Sequence, residues 1–256
     1  MIAKTLSAAL LVLGLAFSAA PAAAQENMPL SPKQVDAVKK VVRDYLMEHP
    51  EVLGEALEAL REKMRAQAEV DAHRMLEARK DEIVKNADDP VAGNVKGDVT
   101  VVEFFDYNCG FCKQTFDAVW DAVKSDGKTR IVLKEFPILG PDSVIASRVA
   151  LVAKGQSQAK YDEIHRSFMK FRGRLDEKTI FRLAGEAGMN VEQLKKDMGS
   201  ADIDRQLKKT ADLARSLDIG GTPTFIVGDR ILSSAVDQPT MKQLIDVARK
   251  ALPNKG

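Results

Sequence analysis

The feature that most constrains this chain is a pair of cysteines between a strand and a helix. Residues 99–105 read VTVVEFF, a β-branched and aromatic run typical of a buried strand. The segment CGFC (residues 109–112) follows, and apolar residues at helical spacing continue to Lys124. A second apolar run covers 130–136. The sequence therefore predicts two parallel strands joined by a right-handed helical crossover, with both cysteines at the start of the helix.

Two cysteines at a helix start are suited to disulfide exchange. The helix N-terminus carries about half a positive charge and free N–H groups, which stabilise a thiolate on the first cysteine. We therefore expect Cys109 to attack a disulfide and Cys112, one turn further on, to resolve the mixed disulfide. A structural disulfide is one alternative, although closing so short a loop stabilises a fold by only about 2 kcal/mol. A Cu(I) or zinc half-site is the other.

The composition limits other chemistries. The 256 residues include 2 cysteines and 3 histidines, whereas a structural zinc site takes four ligands, so we predict no metal site and no cofactor. We expect His49, His73 and His165 to be structural residues on helix surfaces or at helix ends. Lys plus Arg total 38 and Asp plus Glu total 37, and this balance gives no general attraction to nucleic acid.

Two further features point to the same region. Glu103 lies inside the first apolar strand, where a buried carboxyl would have a raised pKa and could exchange protons with Cys112. The alternative is an edge-strand residue that faces water. Thr222-Pro223 follows two glycines and opens a strand over 224–227, so it is a candidate cis bond. It would bring the Thr222 backbone beside the nucleophile and offer strand-like pairing to a substrate peptide.

The remaining chain is a helical block followed by a short closing unit. Residues 142–217 are predicted to form several helices separated by glycines. The predicted helices cover 144–154, 160–171, 177–187, 191–198 and 203–217. A Gly-Asp turn then joins the strand over 224–227 to a second one over 230–232, and a helix over 238–252 closes the chain.

An amphipathic helical arm precedes the cysteine unit. Ser31-Pro32 marks a helix start and His49-Pro50 an interruption. The next helix carries apolar residues at the spacing of a coiled coil, namely Leu53, Leu57, Leu60 and Met64. This stripe could pack on the chain's own catalytic domain or on other copies. We favour self-association as a dimer or trimer through residues 31–86, because the stripe is narrow and its flanks are charged.

The first 24 residues are predicted to be a secretory signal peptide. Lys4 provides a positive start, an apolar run covers 8–17, and Ala22-Ala23-Ala24 forms a small-residue cleavage site. A membrane anchor is the alternative, but it needs about 20 apolar residues. We therefore predict cleavage near Ala24 and export to the periplasm, where disulfide chemistry is active.

These motifs resemble the DsbA family of thioredoxin-fold thiol–disulfide oxidoreductases over about residues 90–253. The segment VVEFFDYNCGFCK has Glu103 in the place of the family's buried acid, and GGTPTFIVG has Pro223 in the place of its cis-proline. The block over 142–217 would correspond to the family's helical insertion. The segment over 31–60 is similar to the N-terminal region of the ScsC-like (suppressor of copper sensitivity) branch, whose members can oligomerise through it.

The resemblance implies an α/β thioredoxin fold with an inserted helical domain, preceded by a helical arm. We expect a signal peptide over 1–24, an arm and linker over 25–89 with a hinge or linker at 84–90, and a catalytic domain over 90–256. Gly110, Phe111 and Thr222 would contact the substrate.

We therefore expect a periplasmic thiol–disulfide oxidoreductase that acts on cysteine-containing exported proteins. Isomerase or reductase activity is favoured, because CGFC is closer to the CGYC of DsbC isomerases than to the CPHC of DsbA, and Thr222 is the isomerase-like residue before the proline. Isomerisation needs reduced Cys109, which implies a membrane-embedded thiol reductase as electron donor. The alternatives are a monomeric DsbA-like oxidase and a Cu(I)-handling or chaperone protein of copper stress.

Overall fold

The computed structural model describes residues 30–252, which fall into two compact units divided between Arg61 and Glu62. The predicted signal peptide and its cleavage site near Ala24 lie outside the described residues. Within 30–252, none of the helices combines the length and the apolar character that crossing a bilayer requires.

The first unit contains helix α1 (Pro32–Glu48) and the start of α2 (Glu51–Ala78). The side chain of Gln34 accepts a hydrogen bond from the Ser31 N–H at 2.9 Å, which caps the first turn. The helix ends before His49-Pro50, as predicted. The predicted apolar stripe on α2 stays about half exposed in the single chain, at Leu53, Leu57, Leu60 and Met64.

The second unit is built on a five-stranded mixed sheet with strand order β1-β3-β2-β4-β5. The strands are β1 (Val91–Gly93), β2 (Val99–Phe105), β3 (Thr129–Glu135), β4 (Thr224–Val227) and β5 (Arg230–Leu232). β2 and β3 are parallel and every other neighbouring pair is antiparallel. The predicted parallel pair is confirmed, whereas β1 was not predicted.

Helices cover both faces of this sheet. They are α3 (Lys80–Val84), α4 (Gly110–Asp126), α5 (Pro141–Gln156), α6 (Gln158–Lys170), α7 (Glu177–Glu186), α8 (Val191–Asp197), α9 (Ala201–Ser216) and α10 (Gln238–Lys250). The larger core joins one face of the sheet to α4, α10 and the helices inserted between β3 and β4. The smaller core joins the other face to the ends of α2 and α9 and to α3. The predicted thioredoxin fold with a helical insertion is thereby confirmed.

The structure corrects the prediction of a hinge at residues 84–90. The Nζ of Lys134 on β3 forms a buried ion pair with Asp89 and donates a hydrogen bond to the Glu82 carbonyl at 2.7 Å. Arg130 also donates to the Val84 carbonyl at 2.7 Å. The segment therefore packs on the sheet. The domain boundaries at 24 and 89 stay predictions.

Loss of the Asp89 carboxylate should destabilise the second unit strongly. Asp89→Ala leaves the Lys134 ammonium buried without its counter-charge, a situation that costs about 3–5 kcal/mol. Urea unfolding of the whole chain measures this change. Asp88→Ala is the matched control, because the Asp88 side chain makes only an exposed ion pair, with Lys209 at 3.3 Å, and its loss should cost about 1 kcal/mol or less. Equal losses in the two variants would contradict the assignment.

Candidate active site

The two cysteines lie at the N-terminus of α4, where the loop after β2 delivers them. Cys109 is the N-cap residue, and its Sγ accepts a hydrogen bond from the Cys112 N–H at 3.2 Å. Cys112 is fully buried and Cys109 is 5% exposed, and both are free thiols. The helix therefore directs its unpaired N–H groups and its positive end at the outer sulfur.

This geometry separates the acidities of the two thiols. The pKa of Cys109 falls from 9.0 to about 6, chiefly because the Cys112 side chain donates a hydrogen bond to its sulfur, with further help from backbone N–H groups. The pKa of Cys112 is raised, first by burial and then by that same hydrogen bond. At neutral pH the pair therefore carries one thiolate, on the outer cysteine.

The Thr222–Pro223 peptide bond is cis, as predicted, and it faces the cysteines. In its protonated form the Cys109 thiol donates to the Thr222 carbonyl, which lies 3.2 Å from the sulfur although the two residues are far apart in sequence. Strand β4 begins at Thr224, directly after Pro223, and pairs with β2, so the rigid sheet holds the Thr222 backbone in place. A backbone carbonyl beside the sulfur can pair with an extended peptide.

Glu103 lies in the middle of the sheet, because its strand pairs with β3 on one side and with β4 on the other. The alternative of an edge residue facing water is therefore wrong, and the side chain is buried. Burial raises the pKa of Glu103 to about 8, and the negative charge of Cys109 adds to the shift. The Glu103 charge in turn raises the pKa of Cys112, so the carboxyl is electrostatically coupled to both thiols.

The surface around Cys109 is open and partly apolar. Phe111 is 63% exposed, and a side-chain carbon at Gly110 would meet no atom within 4 Å. The loop after β3 exposes two more apolar side chains, Ile138 and Leu139. The structure thus brings the five predicted catalytic positions together, and two of the three predicted contact residues, Gly110 and Phe111, lie between the cysteines.

Comparison with known proteins identifies the family to which this fold and site belong. Residues 100–246 match the DSBA-like thioredoxin domain, more than half of the chain. This chain belongs to the DSBA-like thioredoxin family. Residues 34–67 match a second family, the copper resistance protein ScsC N-terminal domain.

Solved structures and curated relatives that are similar to this DsbA-like chain agree with this family assignment. A thioredoxin-like oxidoreductase from Silicibacter pomeroyi DSS-3 is 39% identical, with a TM-score of 0.65, over 67% of this chain and 98% of that one. Proteus mirabilis ScsC in a transitional conformation is 26% identical, with a TM-score of 0.65, over 87% and 100% of the two chains. A probable disulfide bond formation protein D from Bacillus anthracis is 29% identical over 58% of this chain and 72% of its own length.

The structure also reveals a buried polar network that the sequence analysis missed. The Glu135 carboxylate accepts hydrogen bonds from Tyr107 at 2.9 Å, Tyr161 at 2.8 Å and Ser147 at 2.7 Å. These donors come from the loop before Cys109 and from two insertion helices, and no local pattern marks them. The network therefore ties the active-site loop to the inserted helices.

His165 belongs to this network, which corrects its prediction as a helix-surface residue. Its Nδ1 lies 3.0 Å from the Tyr107 hydroxyl, and its ring is fully buried among aromatic side chains. Burial lowers the pKa of His165 to about 3, so it is neutral at physiological pH. Among the residues that the structure describes, no group of three or more His, Cys, Asp or Glu side chains is arranged to hold a metal ion.

The reduced protein should carry a Cys109 thiolate above about pH 6. Thiolate absorbance at 240 nm, followed from pH 3 to pH 10, should rise with a midpoint near 6. In Cys112→Ser the midpoint should stay near 6, because a hydroxyl can replace the thiol as donor, whereas Cys112→Ala removes the donor and should move the midpoint toward 9.0. Cys109→Ser should lack the transition. A wild-type midpoint near 9 would contradict the assignment.

Proposed function

We propose that this chain is a periplasmic thiol–disulfide oxidoreductase that isomerises and reduces disulfides in exported proteins. The observation that carries the proposal is the position of the Cys109 sulfur, which lies at the N-terminus of α4 and 3.2 Å from the Thr222 carbonyl, where its pKa is lowered to about 6. A pKa near 6 lies between the values of about 7 for thioredoxin and about 3.5 for DsbA. This intermediate acidity suits a thiol that must both attack a disulfide and leave again.

In the proposed mechanism Cys109 is the nucleophile. Its thiolate attacks a substrate disulfide, a Cys109–substrate disulfide forms, and the other substrate sulfur leaves as a thiolate. In isomerisation, a substrate thiolate attacks this mixed disulfide, a different substrate disulfide forms, and the Cys109 thiolate is regenerated. No net electrons are transferred in that cycle.

Reduction uses Cys112 as the resolving thiol. Cys112 loses its proton and attacks the Cys109 sulfur, the substrate leaves as a thiolate, and a Cys109–Cys112 disulfide remains after a two-electron transfer. Glu103 is the proposed proton acceptor for Cys112, because it is coupled to both thiols and its pKa is raised to about 8, near working pH. A membrane-embedded thiol reductase is the proposed donor that reduces the disulfide again.

The substrate polypeptide is proposed to lie along the Thr222–Pro223 loop. The Thr222 backbone would pair with an extended segment of the substrate, which places a disulfide sulfur in line with Cys109. Gly110 leaves room for this approach, and the exposed Phe111 ring offers an apolar contact. Pro223 keeps the loop free of a competing backbone N–H donor.

The arm is proposed to join two or three copies of the chain through residues 31–86. The α2 stripe is about half exposed, and α1 adds Val38, Val42 and Tyr45, which are similarly exposed. Burying such surface on other copies is favourable by about 25 cal/mol per Å². Several active sites in one assembly would suit isomerisation, because one mispaired substrate could contact more than one thiolate.

Two alternative functions can be distinguished experimentally from this proposal. A monomeric DsbA-like oxidase would oxidise reduced substrates and would not assemble through the arm. A Cu(I)-handling or chaperone protein is supported by the match of residues 34–67 to a copper resistance family, but that match covers the arm and excludes the cysteines.

The mature protein should reactivate a substrate whose disulfides have been scrambled. With scrambled ribonuclease and a glutathione buffer, recovery of ribonuclease activity measures isomerisation. Cys109→Ser should lose this activity, because the serine hydroxyl stays protonated at neutral pH and cannot form a mixed disulfide. Cys112→Ser should keep part of it but lose reduction of insulin disulfides. Equal recovery with wild type and Cys109→Ser, or oxidation alone by wild type, would reject the proposal.

Disruption of the apolar stripe should dissociate the assembly. Leu57→Glu places a charge on the proposed interface, so light scattering should give a monomer mass, where wild type gives a dimer or trimer. Ala59→Glu is the matched control, because it adds the same charge to an exposed position off the stripe. A monomeric wild type would contradict assembly through the arm.

A further inference from the structure

A cleft lies directly beside the outer cysteine. It has a volume of about 660 Å³, and the two residues that flank Cys109 in sequence, Asn108 and Gly110, form part of its wall. The start of α4, the loop after α6 and Leu139 from the loop after β3 complete it. Anything bound there would adjoin the reacting sulfur.

The cleft has a positive lining. Three cations contribute to it, namely Lys113, Arg172 and Arg174. Asp117 is its acidic residue, and that carboxylate already pairs with Lys170 at 3.0 Å. The cleft together with its paired neighbours therefore keeps an excess of positive charge.

Arg172 is the cation left available for a ligand. Lys113 is occupied, because its Nζ donates to the Phe171 carbonyl at 3.1 Å and to the Gly173 carbonyl at 2.7 Å. Arg174 pairs with Asp142 at 3.2 Å. Arg172 is exposed and takes part in no ion pair among the described residues. A guanidinium presents donors in a fork that matches a carboxylate.

A second groove, lined in part by the residues that lead to the cis-proline, has a different character. This groove of about 410 Å³ runs between the loop after β3 and the segment before the cis-proline, and its lining includes Phe136, Ile138 and Ile219. Its charged lining residues, Arg215 and Asp218, carry opposite charges, so this groove lacks the positive excess of the cleft.

We propose that the cleft binds an acidic side chain of the substrate polypeptide, close to its reactive cysteine. This inference rests on the proposed function and names the substrate class of the same site. An extended peptide advances about 3.3 Å per residue, so a Glu or Asp two or three positions from the cysteine reaches a neighbouring cleft. Its carboxylate pairs with the Arg172 guanidinium, which favours substrates with acidic residues around the cysteine.

Two peptides test this preference. They are identical except for the second and third positions on one side of a central cysteine, which are Glu in one peptide and Lys in the other. Each cysteine is joined to 2-mercaptoethanol as a mixed disulfide, and the rate constant for peptide release by the reduced mature protein is measured. Peptides with Ser in place of Cys cannot react, and their dissociation constants report binding alone.

The Glu peptide should react about five- to tenfold faster than the Lys peptide at low ionic strength. In 1 M salt the preference should fall to within about twofold, because the Debye length shrinks to about 3 Å. Arg172→Glu should abolish the preference in both rate and binding. Arg230→Glu is the matched control, because Arg230 is an exposed arginine on β5 that pairs with the end of β4 remote from Pro223, and it should leave the preference unchanged.

The outcomes separate this inference from the proposed function. Equal rates and equal binding for the two peptides, with active enzyme, would overturn the inference while disulfide exchange stands. The same change in preference with Arg172→Glu and with Arg230→Glu would also overturn it. Tighter, Arg172-dependent binding of the acidic Ser peptide without any reaction of the disulfide peptides would support the inference and reject the proposed function.

Discussion

The Cys109 sulfur lies where a helix begins, and the rest of the site is arranged around this contact. It accepts the Cys112 N–H and a hydrogen bond from the Cys112 side chain, so the two cysteines have opposite acidities. These acidities suit the proposed mechanism, in which the outer sulfur attacks and the inner one stays protonated until a mixed disulfide has formed. The spacing of the cysteines is essential, because only a residue one turn into the helix can provide both donors.

Two buried acids on the same face of the sheet have different surroundings. Glu103 faces the thiols, whereas Glu135 is held by two tyrosines and a serine. Burial raises both pKa values to about 8, well above the 4.5 of an ordinary glutamate. Each carboxyl therefore contributes stability that is complete below about pH 4.5 and is lost as pH rises through about 8. At Glu103 the fold tolerates the free-energy cost of ionising a buried carboxyl, and this carboxyl is electrostatically coupled to the cysteines.

Local patterns predicted the central strands and the helix with its cysteines, because each is recognisable from neighbouring residues alone. The cis-proline was also predictable, since it opens a strand after two glycines. The burial of Asp89 could not be predicted, because its partner Lys134 lies 45 residues later in the chain. The burial of His165 was missed for the same reason. The sequence of its helix does not indicate that the hydroxyl of Tyr107, in the loop before Cys109, lies within hydrogen-bond distance of its ring. Long-range polar pairs leave no periodic signal in a sequence.

The proposed acid-binding cleft would give the thioredoxin core a means of selecting substrates through its inserted helices. The core supplies the chemistry, since the sulfur, the buried acid and the cis-proline come from β2, α4 and β4. The wall that carries Arg172 comes instead from the loop between α6 and α7, within the insertion. The Glu135 network fixes α5 and α6 against the active-site loop, so this wall has a defined position relative to Cys109. Substitutions in the α6–α7 loop can therefore change which polypeptides approach the sulfur while leaving its acidity to the helix.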